Sequence, residues 1–231
     1  MITVVGEALV DLVHGPDGGV VAHPGGSPAN VAVGLGRLGV PVHLITRYGR
    51  DGHGALLAEH LAASSVHPAP DTVSDRPTSV ARAYLDASGV ATYDFDIAWE
   101  LPDTARVPAD SACVHTGSIA AVLEPGAGVV RRLLEDARGR AVLSYDPNCR
   151  PSLMGDPASA RARIESLVEL CDVVKVSDAD LQWLYPGRDF ADAAVAWSAL
   201  GPALVVVTRG GAGSYGVCAA GAVAAPADAV R

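Results

Sequence analysis

The sequence has few cysteines and no long apolar segment, and each absence excludes a class of protein. Its four cysteines, Cys113, Cys149, Cys171 and Cys218, are far apart and form no C-x-x-C pair. Neither a zinc site nor a disulfide framework has this spacing. No uninterrupted apolar run reaches the ~20 residues that cross a bilayer, and no basic and apolar leader precedes Ile2. We therefore expect a reduced, cytoplasmic protein with no membrane partner.

Positive charge is also scarce. The chain has 17 Lys and Arg residues against 26 Asp and Glu, which gives a formal net charge of −9. This balance argues against nucleic acid or an anionic membrane as the main partner. Phosphorylated ligands are still compatible with it, because local backbone N–H groups can bind a phosphate despite the net charge. Lys175 is the single lysine, so every other permanent side-chain cation is an arginine.

The composition and the hydrophobic pattern predict a globular α/β protein. Hydrophobic residues make up 49% of the 231 residues and charged residues 19%, which excludes a disordered chain. Alternation of short β-branched strands with amphipathic helices is typical of a parallel sheet with crossover helices. The predicted strands are 1–5, 20–23, 41–46, 112–116, 141–145, 172–176 and 204–208, and the predicted helices are 28–39, 55–63, 126–137, 157–170, 178–184 and 191–200.

The segment from Gly25 to Gly39 joins a glycine pair to a helix start. Ser27 followed by Pro28, at what would be the first helical position, is a helix-entry signal, and Gly39 marks the end of the helix. Asn30 falls in the first turn, where backbone N–H groups are free. A structural helix start explains Ser-Pro but leaves the paired glycines and the asparagine unexplained. Flexible backbone, free donors and an amide together favour a small polyhydroxylated ligand.

The same segment contains a match to the dinucleotide-binding fingerprint G-x-G-x-x-G at Gly34, Gly36 and Gly39. That fingerprint requires a strand directly before it and a helix directly after it. Here the glycines fall inside or at the end of a helix, and the predicted strand follows them. We interpret them as small residues that let the helix lie close to a sheet. A nicotinamide oxidoreductase is a hypothesis that rests on this match alone.

Two alternating segments interrupt the α/β pattern at residues 78–85 and 90–97. Asp86 to Gly89 joins them as a turn, so the pattern predicts a β-hairpin. The hairpin could decorate an edge of the main sheet, or it could form a small lid sheet with the strand at 20–23. We favour the lid.

Polar residues recur directly after the predicted strands. Ligands of open parallel sheets bind at the carboxyl ends of the strands, although a polar residue is also the ordinary way for a strand to become a loop. Taken alone, Asp11 is more typical of a turn or a cap than of a ligand contact. The polar clusters are Asp11, Asp146 to Arg150, Lys175 to Asp180, and Thr208 to Gly213.

The last of these clusters suits a phosphate chain. Thr208 is followed by Gly210, Gly211 and Gly213, whose backbone N–H groups are unhindered by side chains. The segment is not a P-loop, because the order G-x-x-x-x-G-K-[ST] is absent.

The two middle clusters combine carboxylates with donors. Ser177 and Asp180 have the spacing of a capping box, which is the structural interpretation, and the same pair could hold a hydrated magnesium ion near phosphates. Asn148 and Arg150 form a cluster of donors that suits a transferring phosphoryl group.

Taken together, these segments resemble the PfkB, or ribokinase-like, carbohydrate kinases. Ser27-Pro28, Gly117-Ser118 and the run from Asp146 to Arg150 look most like the fructokinase and 2-keto-3-deoxygluconate kinase branch, since ribokinases usually have Lys-Gly in place of Ser27-Pro28. The matching segments, in the family's order, are Gly6 to Asp11, Gly25 to Gly39, Gly49 to Gly54, Asp146 to Arg150, Lys175 to Asp180, and Val207 to Gly210.

The resemblance implies a single ribokinase-like domain over residues 1–231. This fold is a three-layer α/β/α arrangement with a central, mostly parallel sheet and a small β lid, here with lid strands near 18–24 and 78–97. The implied activity is transfer of the ATP γ-phosphate to a sugar hydroxyl, with fructose as the favoured sugar and with ATP and Mg²⁺ as cofactors. Lid hairpins of the family often pair between subunits, which implies a homodimer.

The resemblance also implies a role for each candidate residue. A glutamate is usual in the family where this chain has Asp180, so the shorter side chain departs from the pattern of the expected Mg²⁺ position. The implied groups are Asp11, Gly25, Gly26 and Asn30 on the sugar hydroxyls, Asn148 and Arg150 near the phosphates, Lys175, Ser177, Thr208, Gly210, Gly211 and Gly213 along ATP, and Asp180 at the metal.

A second family signature, Asp-Thr-x-Gly-Ala-Gly-Asp, supplies an anion hole and the catalytic base in relatives. In the matching order it would begin after Arg231, and Asp228 does not replace it because no Gly-Ala-Gly precedes it. We therefore expect a C-terminally truncated kinase whose base lies outside this sequence. The alternatives are a 2-keto-3-deoxygluconate kinase, another PfkB sugar or nucleoside kinase, and a truncated, non-catalytic sugar-binding module.

Overall fold

The computed structural model describes residues 1–15, 18–85 and 91–228. Across these residues, every helix is too short or too polar to cross a membrane. The strands are β1 (Ile2–Val5), β2 (Leu9–His14), β3 (Val20–Gly25), β4 (Val42–Ile45), β5 (Tyr48–Gly49), β6 (Val66–Pro68), β7 (Val73–Ser74), β8 (Val80–Leu85), β9 (Ala91–Asp96), β10 (Cys113–Gly117), β11 (Val142–Asp146), β12 (Val173–Ser177), β13 (Leu204–Thr208), β14 (Ser214–Cys218) and β15 (Gly221–Ala225). The helices are α1 (Ser27–Arg37), α2 (Gly52–Ala63), α3 (Gly126–Ala137), α4 (Pro151–Met154), α5 (Pro157–Val168), α6 (Asp178–Leu184) and α7 (Phe190–Ser198).

The main sheet has the strand order β15-β14-β13-β12-β11-β10-β1-β4-β6. Its strands from β13 to β6 pair in parallel, and β14 and β15 add an antiparallel edge. This confirms the predicted α/β class. Because parallel strands all end at the same edge, the polar segments after β10, β11, β12 and β13 lie side by side.

The two faces of the main sheet are covered differently. One face packs alternate strand residues such as Val114 and Leu143 against α3, α5, α6 and α7, with Trp197 fully buried among them. The other face is covered by α1 and α2 over β1, β4 and β6. Over β10 to β12 that second face carries half-buried polar side chains, among them His115 and Lys175.

A smaller sheet of order β3-β2-β8-β9 lies apart from the main one. β8 and β9 pair antiparallel as the alternating pattern predicted, while the predicted turn from Asp86 to Gly89 lies outside the described residues. The sequence did not reveal β2, which pairs antiparallel with β3 and parallel with β8. Asp11 therefore lies inside a strand, opposite His23, and the prediction that it is a turn or cap residue was wrong.

Two helices begin earlier than the pattern predicted. The N-cap of α1 is Gly26, with φ 98°, so Ser27 is already helical and Pro28 is the second residue of the helix. α2 begins at Gly52 because the Asp51 carboxylate accepts the Gly54 N–H at 2.8 Å and caps the helix.

The glycines of the apparent dinucleotide fingerprint belong to α1 and its C-terminus. Gly34 and Gly36 lie inside the helix, and Gly39 follows it in the left-handed region with φ 77°. A Cβ on Gly36 would lie 2.1 Å from the carbonyl oxygen of Ser64 and 3.2 Å from a methyl of Val66 on β6. The packing interpretation is thus confirmed for Gly36, whereas a Cβ on Gly34 would have no atom within 4 Å.

Alanine at these two helical positions should change stability in opposite directions. Gly36→Ala should lower the free energy of unfolding by about 1–3 kcal/mol, because the added methyl overlaps a backbone carbonyl. Gly34→Ala, at an exposed site of the same helix, should raise it by up to about 1 kcal/mol through helix propensity. Urea unfolding of both variants measures this, and equal effects would contradict the packing role of Gly36.

Candidate active site

A cavity of about 400 Å³ opens between the small sheet and the carboxyl edge of the main sheet. Its volume is in the range of small-molecule sites. β2, β8 and β9 form one wall, which includes the aromatic ring of Phe95, and the first turn of α1 forms another. The residues that follow β10 and β11 close the remaining side. The polar lining comes from Glu7, Asp11, Asn30, Ser118, Asn148 and Arg150.

The glycine pair leaves space for two close approaches. A Cβ on Gly25 would lie 2.2 Å from Oδ2 of Asp11, so the absence of a side chain makes room for this carboxylate. A Cβ on Gly26 would lie 2.4 Å from the carbonyl oxygen of Glu7, and its φ of 98° is in the left-handed region. Gly26 lines the cavity itself, and Gly25 lies behind Asp11.

Asp11 and Arg150 act on each other electrostatically in this cavity. Burial raises the pKa of the Asp11 carboxyl above its ordinary value, and the positive charges of Arg150 and His23 oppose the rise. The guanidinium of Arg150 also donates to the carbonyl oxygens of Asn148 and Cys149, at 3.1 and 3.0 Å. The cation is thereby held on the loop that follows β11.

Asn148 has an uncommon backbone and a free acceptor. Its φ is 38°, in the left-handed region that asparagine tolerates better than most residues. Its N–H donates to Oδ1 of Asp146 at 3.2 Å. Its side-chain Oδ1 is buried and has no hydrogen-bond partner within the described residues. Asn148 itself lines the cavity, so this buried acceptor without a partner lies in the cavity wall.

Asp180 connects the loop after β11 to the start of α6. Ser177 and Asp180 form a capping box, in which Ser177 Oγ accepts the Asp180 N–H at 3.0 Å and Asp180 Oδ2 accepts the Ser177 N–H at 3.3 Å. The other carboxylate oxygen of Asp180 accepts the Cys149 N–H at 2.9 Å. The capping box that the spacing of Ser177 and Asp180 predicted is therefore formed.

Lys175 pairs with a carboxylate at the end of the neighbouring strand. Its Nζ lies 3.1 Å from Oδ2 of Asp146, and its side chain is partly exposed. Burial raises the pKa of Asp146 above its ordinary value, and the charge of Lys175 opposes this rise. The negative charge of Asp180 acts in the same direction as burial, so the two aspartates lie within electrostatic range of each other.

The glycine-rich turn lies one strand further along the edge. Thr208, the last residue of β13, is paired with Ser177 of β12. Gly210 and Gly213 have φ values of 50° and 85°, and Gly210 and Gly211 are exposed.

The structure thus gathers Asp11, Gly26, Asn30, Asn148 and Arg150 around one cavity. It places Lys175, Ser177, Asp180, Thr208 and the three glycines along the next two strand ends, outside the cavity lining.

The described residues offer only a partial magnesium site. In the part of the chain that the structure covers, no three His, Cys, Asp or Glu side chains are grouped to hold a metal ion. Both oxygens of Asp180 already accept backbone N–H groups, and the Cys149 thiol also hydrogen-bonds to this carboxylate, so few of its acceptor positions are left for a metal ion. Mg²⁺ is usually held by one or two carboxylates together with substrate phosphates and water. Asp180 and Asp146 fit an ion that arrives with a phosphate.

Sequence reasoning did not single out Glu7, which the structure places on the cavity wall. Glu7 is 3% exposed, and its Oε2 accepts the Ala120 N–H at 3.1 Å. The Ser118 hydroxyl and the Ser27 backbone N–H also donate to it, yet burial dominates and raises the pKa of Glu7 to about 7. A carboxylate directly after a buried strand is the only sequence signal that could have indicated it.

Comparison with known proteins places the chain among sugar kinases. Residues 1–230 match the pfkB family of carbohydrate kinases. The fructokinase of Rhizobium leguminosarum bv. trifolii is 34% identical over 240 residues, which cover 100% of this chain and 73% of that protein. The fructokinase of Klebsiella pneumoniae is 32% identical over 220 residues, which cover 92% of this chain and 72% of that protein.

Solved structures show the same fold. The structure of a Xylella fastidiosa fructokinase with bound ATP has a TM-score of 0.86 at 27% identity and covers 100% of this chain and 74% of that one. A Vibrio cholerae fructokinase double mutant with bound fructose, ADP and potassium has a TM-score of 0.84 at 25% identity, covering 100% and 77%. This likeness confirms the ribokinase-like α/β fold. The chain is a member of the pfkB family of carbohydrate kinases.

Proposed function

We propose that this protein transfers the γ-phosphate of ATP to a hydroxyl of a sugar, with fructose as the favoured substrate. The observation that carries the proposal is that Asp11, Asn30 and Arg150 line the same cavity. The relatives and structural neighbours named fructokinase support the choice of sugar. The 2-keto-3-deoxygluconate kinase and the sugar-binding module are the alternatives that the experiments must separate.

The sugar half of the site uses groups that suit hydroxyls. The Asp11 carboxylate accepts hydrogen bonds, and the Asn30 amide can both donate and accept. Gly25 keeps the Asp11 carboxylate close to the chain entering α1, so the carboxylate and the amide are held near each other. Phe95 and Leu9 add apolar surface from the small sheet, which suits the C–H face of a sugar ring.

We propose that the small sheet, with strands near 18–24 and 78–97, is a lid on a single domain.

The phosphate half of the site uses cations and backbone donors. Phosphoryl transfer depends on positioning and on stabilising charge on the transferring group. Arg150 and Asn148 lie on the cavity wall toward the nucleotide side, where they would contact that group. Lys175, Ser177, Thr208 and the glycines of residues 210–213 follow along adjacent strand ends, where ATP would lie.

Mg²⁺, brought in with ATP, would neutralise phosphate charge, with Asp180 holding it through the acceptor positions that the capping box leaves open. The signature that carries the catalytic base in relatives is not among residues 1–231. The proposal therefore assigns only binding, orientation and charge stabilisation to residues of this sequence. The cytoplasmic location and the absence of a nucleic-acid partner are still predictions.

We also propose that the small sheet pairs two copies of the chain. Its strands expose Val20, Val21, Tyr84 and Tyr93, with Tyr93 59% exposed. The register places Val20 and Tyr84 on one face of the sheet and Val21 and Tyr93 on the other. On the first of these faces His14 stacks on Tyr84 with ring centroids 4.5 Å apart. Exposed apolar patches of this kind are typical of interaction surfaces. Sedimentation of the purified protein measures the mass.

Replacement of Asp11 should weaken sugar binding and spare nucleotide binding. Asp11→Asn should weaken fructose binding about tenfold or more, because a hydrogen bond to a charged acceptor is worth about 1.5–3 kcal/mol. Titration calorimetry with fructose, 2-keto-3-deoxygluconate and ATP measures this on the 231-residue chain. Asp94→Asn, at an exposed aspartate of the same small sheet, is the matched control and should bind as wild type. Preference for 2-keto-3-deoxygluconate would contradict the choice of fructose.

Replacement of Asp180 should lower stability, because its carboxylate joins two segments. Asp180→Asn places an NH₂ group against one of the backbone N–H donors, and we expect a loss of about 1–3 kcal/mol in the free energy of unfolding. Asp178→Asn, in the same helical turn but exposed, should change it by less than about 0.5 kcal/mol. Urea unfolding compares the two variants. Unchanged stability with loss of Mg²⁺-dependent ATP binding would instead favour a purely metal-directed role.

A further inference from the structure

Glu7 joins two separate walls of the cavity. It follows β1, and its carboxylate receives the Ala120 N–H and the Ser118 hydroxyl from the turn after β10. The Ser27 N–H, at the first turn of α1, is its third donor. Both Ser118 and Ser27 also line the cavity. One buried carboxylate thus fixes the spacing of two walls that a bound sugar would touch.

The backbone around Glu7 leaves it little freedom. A Cβ on the preceding Gly6 would lie 2.2 Å from Cγ of Pro28, and Gly6 has a φ of 158°. The carbonyl of Glu7 faces Gly26 closely enough that a Cβ there would overlap it. The backbone is therefore packed closely against the start of α1 both at Gly6 and at the carbonyl of Glu7.

We propose that Glu7 is a positioning residue of the sugar site, whose ionised form sets the cavity walls for the sugar, so that sugar binding expels a proton from Glu7. The inference rests on the proposed function, because it requires a sugar in this cavity. Glu7 does not have to touch the reacting atoms. It acts through the Ser118–Ala120 turn and through the first turn of α1.

The hydrogen-bond pattern explains why the two protonation states differ. An ionised carboxylate accepts from these three donors and from the backbone N–H of Glu7 itself, whereas a protonated one carries an O–H that opposes one of the N–H groups. Burial raises the pKa of Glu7 to about 7, so the free protein holds both forms at neutral pH. The first turn of α1 and residues 118–121 contain no ionisable side chain. The other ionisable groups around the cavity are Asp11 on β2, His23 on β3 and Arg150 before α4.

Stability and sugar affinity should respond to pH with opposite signs. The pKa of Glu7 in the folded protein lies above its usual 4.5, so the folded state holds a proton that the unfolded state releases. This contribution to stability is full below about pH 4.5 and is lost as pH rises toward 7. Sugar affinity should instead rise as pH passes through 7, because the sugar selects the ionised form. A purely structural role would move stability alone.

Titration calorimetry with fructose tests the proposal between pH 6 and pH 8 in two buffers of different ionisation enthalpy. For the wild type we expect affinity to fall several-fold from pH 8 to pH 6, with proton release near pH 7. Glu7→Gln should bind fructose about tenfold more weakly at pH 8, with a flat profile and no proton release. Glu124→Gln is the matched control, because Glu124 also accepts a helical N–H but is exposed and lies outside the cavity lining, and it should keep the wild-type profile. His23→Gln should keep it as well.

Each result decides between the two proposals. A wild-type protein that binds fructose with the same affinity at pH 6 and pH 8 overturns the role of Glu7, even if Glu7→Gln fails to fold. A folded Glu7→Gln variant with the wild-type profile also overturns it, as does loss of the profile in His23→Gln. A wild-type protein that binds no sugar at any pH overturns the proposed function, and the inference with it.

Discussion

The hydrogen bond from the Cys149 N–H to Asp180 connects the two halves of the candidate site. Parallel pairing brings the ends of β11 and β12 to one edge, but it does not determine how the following loops are arranged. Asp180 does this, because it caps α6 with one oxygen and holds the loop of Asn148 and Arg150 with the other. The donors on the cavity wall are thereby fixed relative to the strand ends where we propose that the nucleotide lies.

The carboxyl edge of the main sheet carries both cations and carboxylates, so it can bind a polyanion although the protein as a whole is acidic. Lys175 forms an ion pair with Asp146 at 3.1 Å, and the charge of the exposed Arg150 acts on Asp11 across the cavity. A phosphate chain would compete with these carboxylates for the same two cations. The overall charge of −9 therefore says little about this edge.

The hydrophobic periodicity of the sequence predicts much of the fold but only part of the candidate site. The bounds of α3, α6 and β13 agree with the prediction, because each is a strongly patterned segment between clear breaks. β2 escaped detection because its burial does not alternate, and with it the strand position of Asp11 was missed. Glu7 was missed for a different reason. Its role comes from donors more than 100 residues away, at Ala120, which no local pattern reports.

The two carboxylates of the cavity differ in what surrounds them, and this difference separates their roles. Asp11 is half-buried and faces two positive groups, Arg150 and His23, which oppose the effect of burial on its pKa. Glu7 is fully buried and meets only neutral donors, so burial prevails. Pairs of carboxyl groups with different pKa values commonly divide their tasks within one site. Asp11, whose charge is compensated, is therefore suited to direct contact with sugar hydroxyls. Glu7, which is buried, is suited to positioning the cavity walls around the sugar.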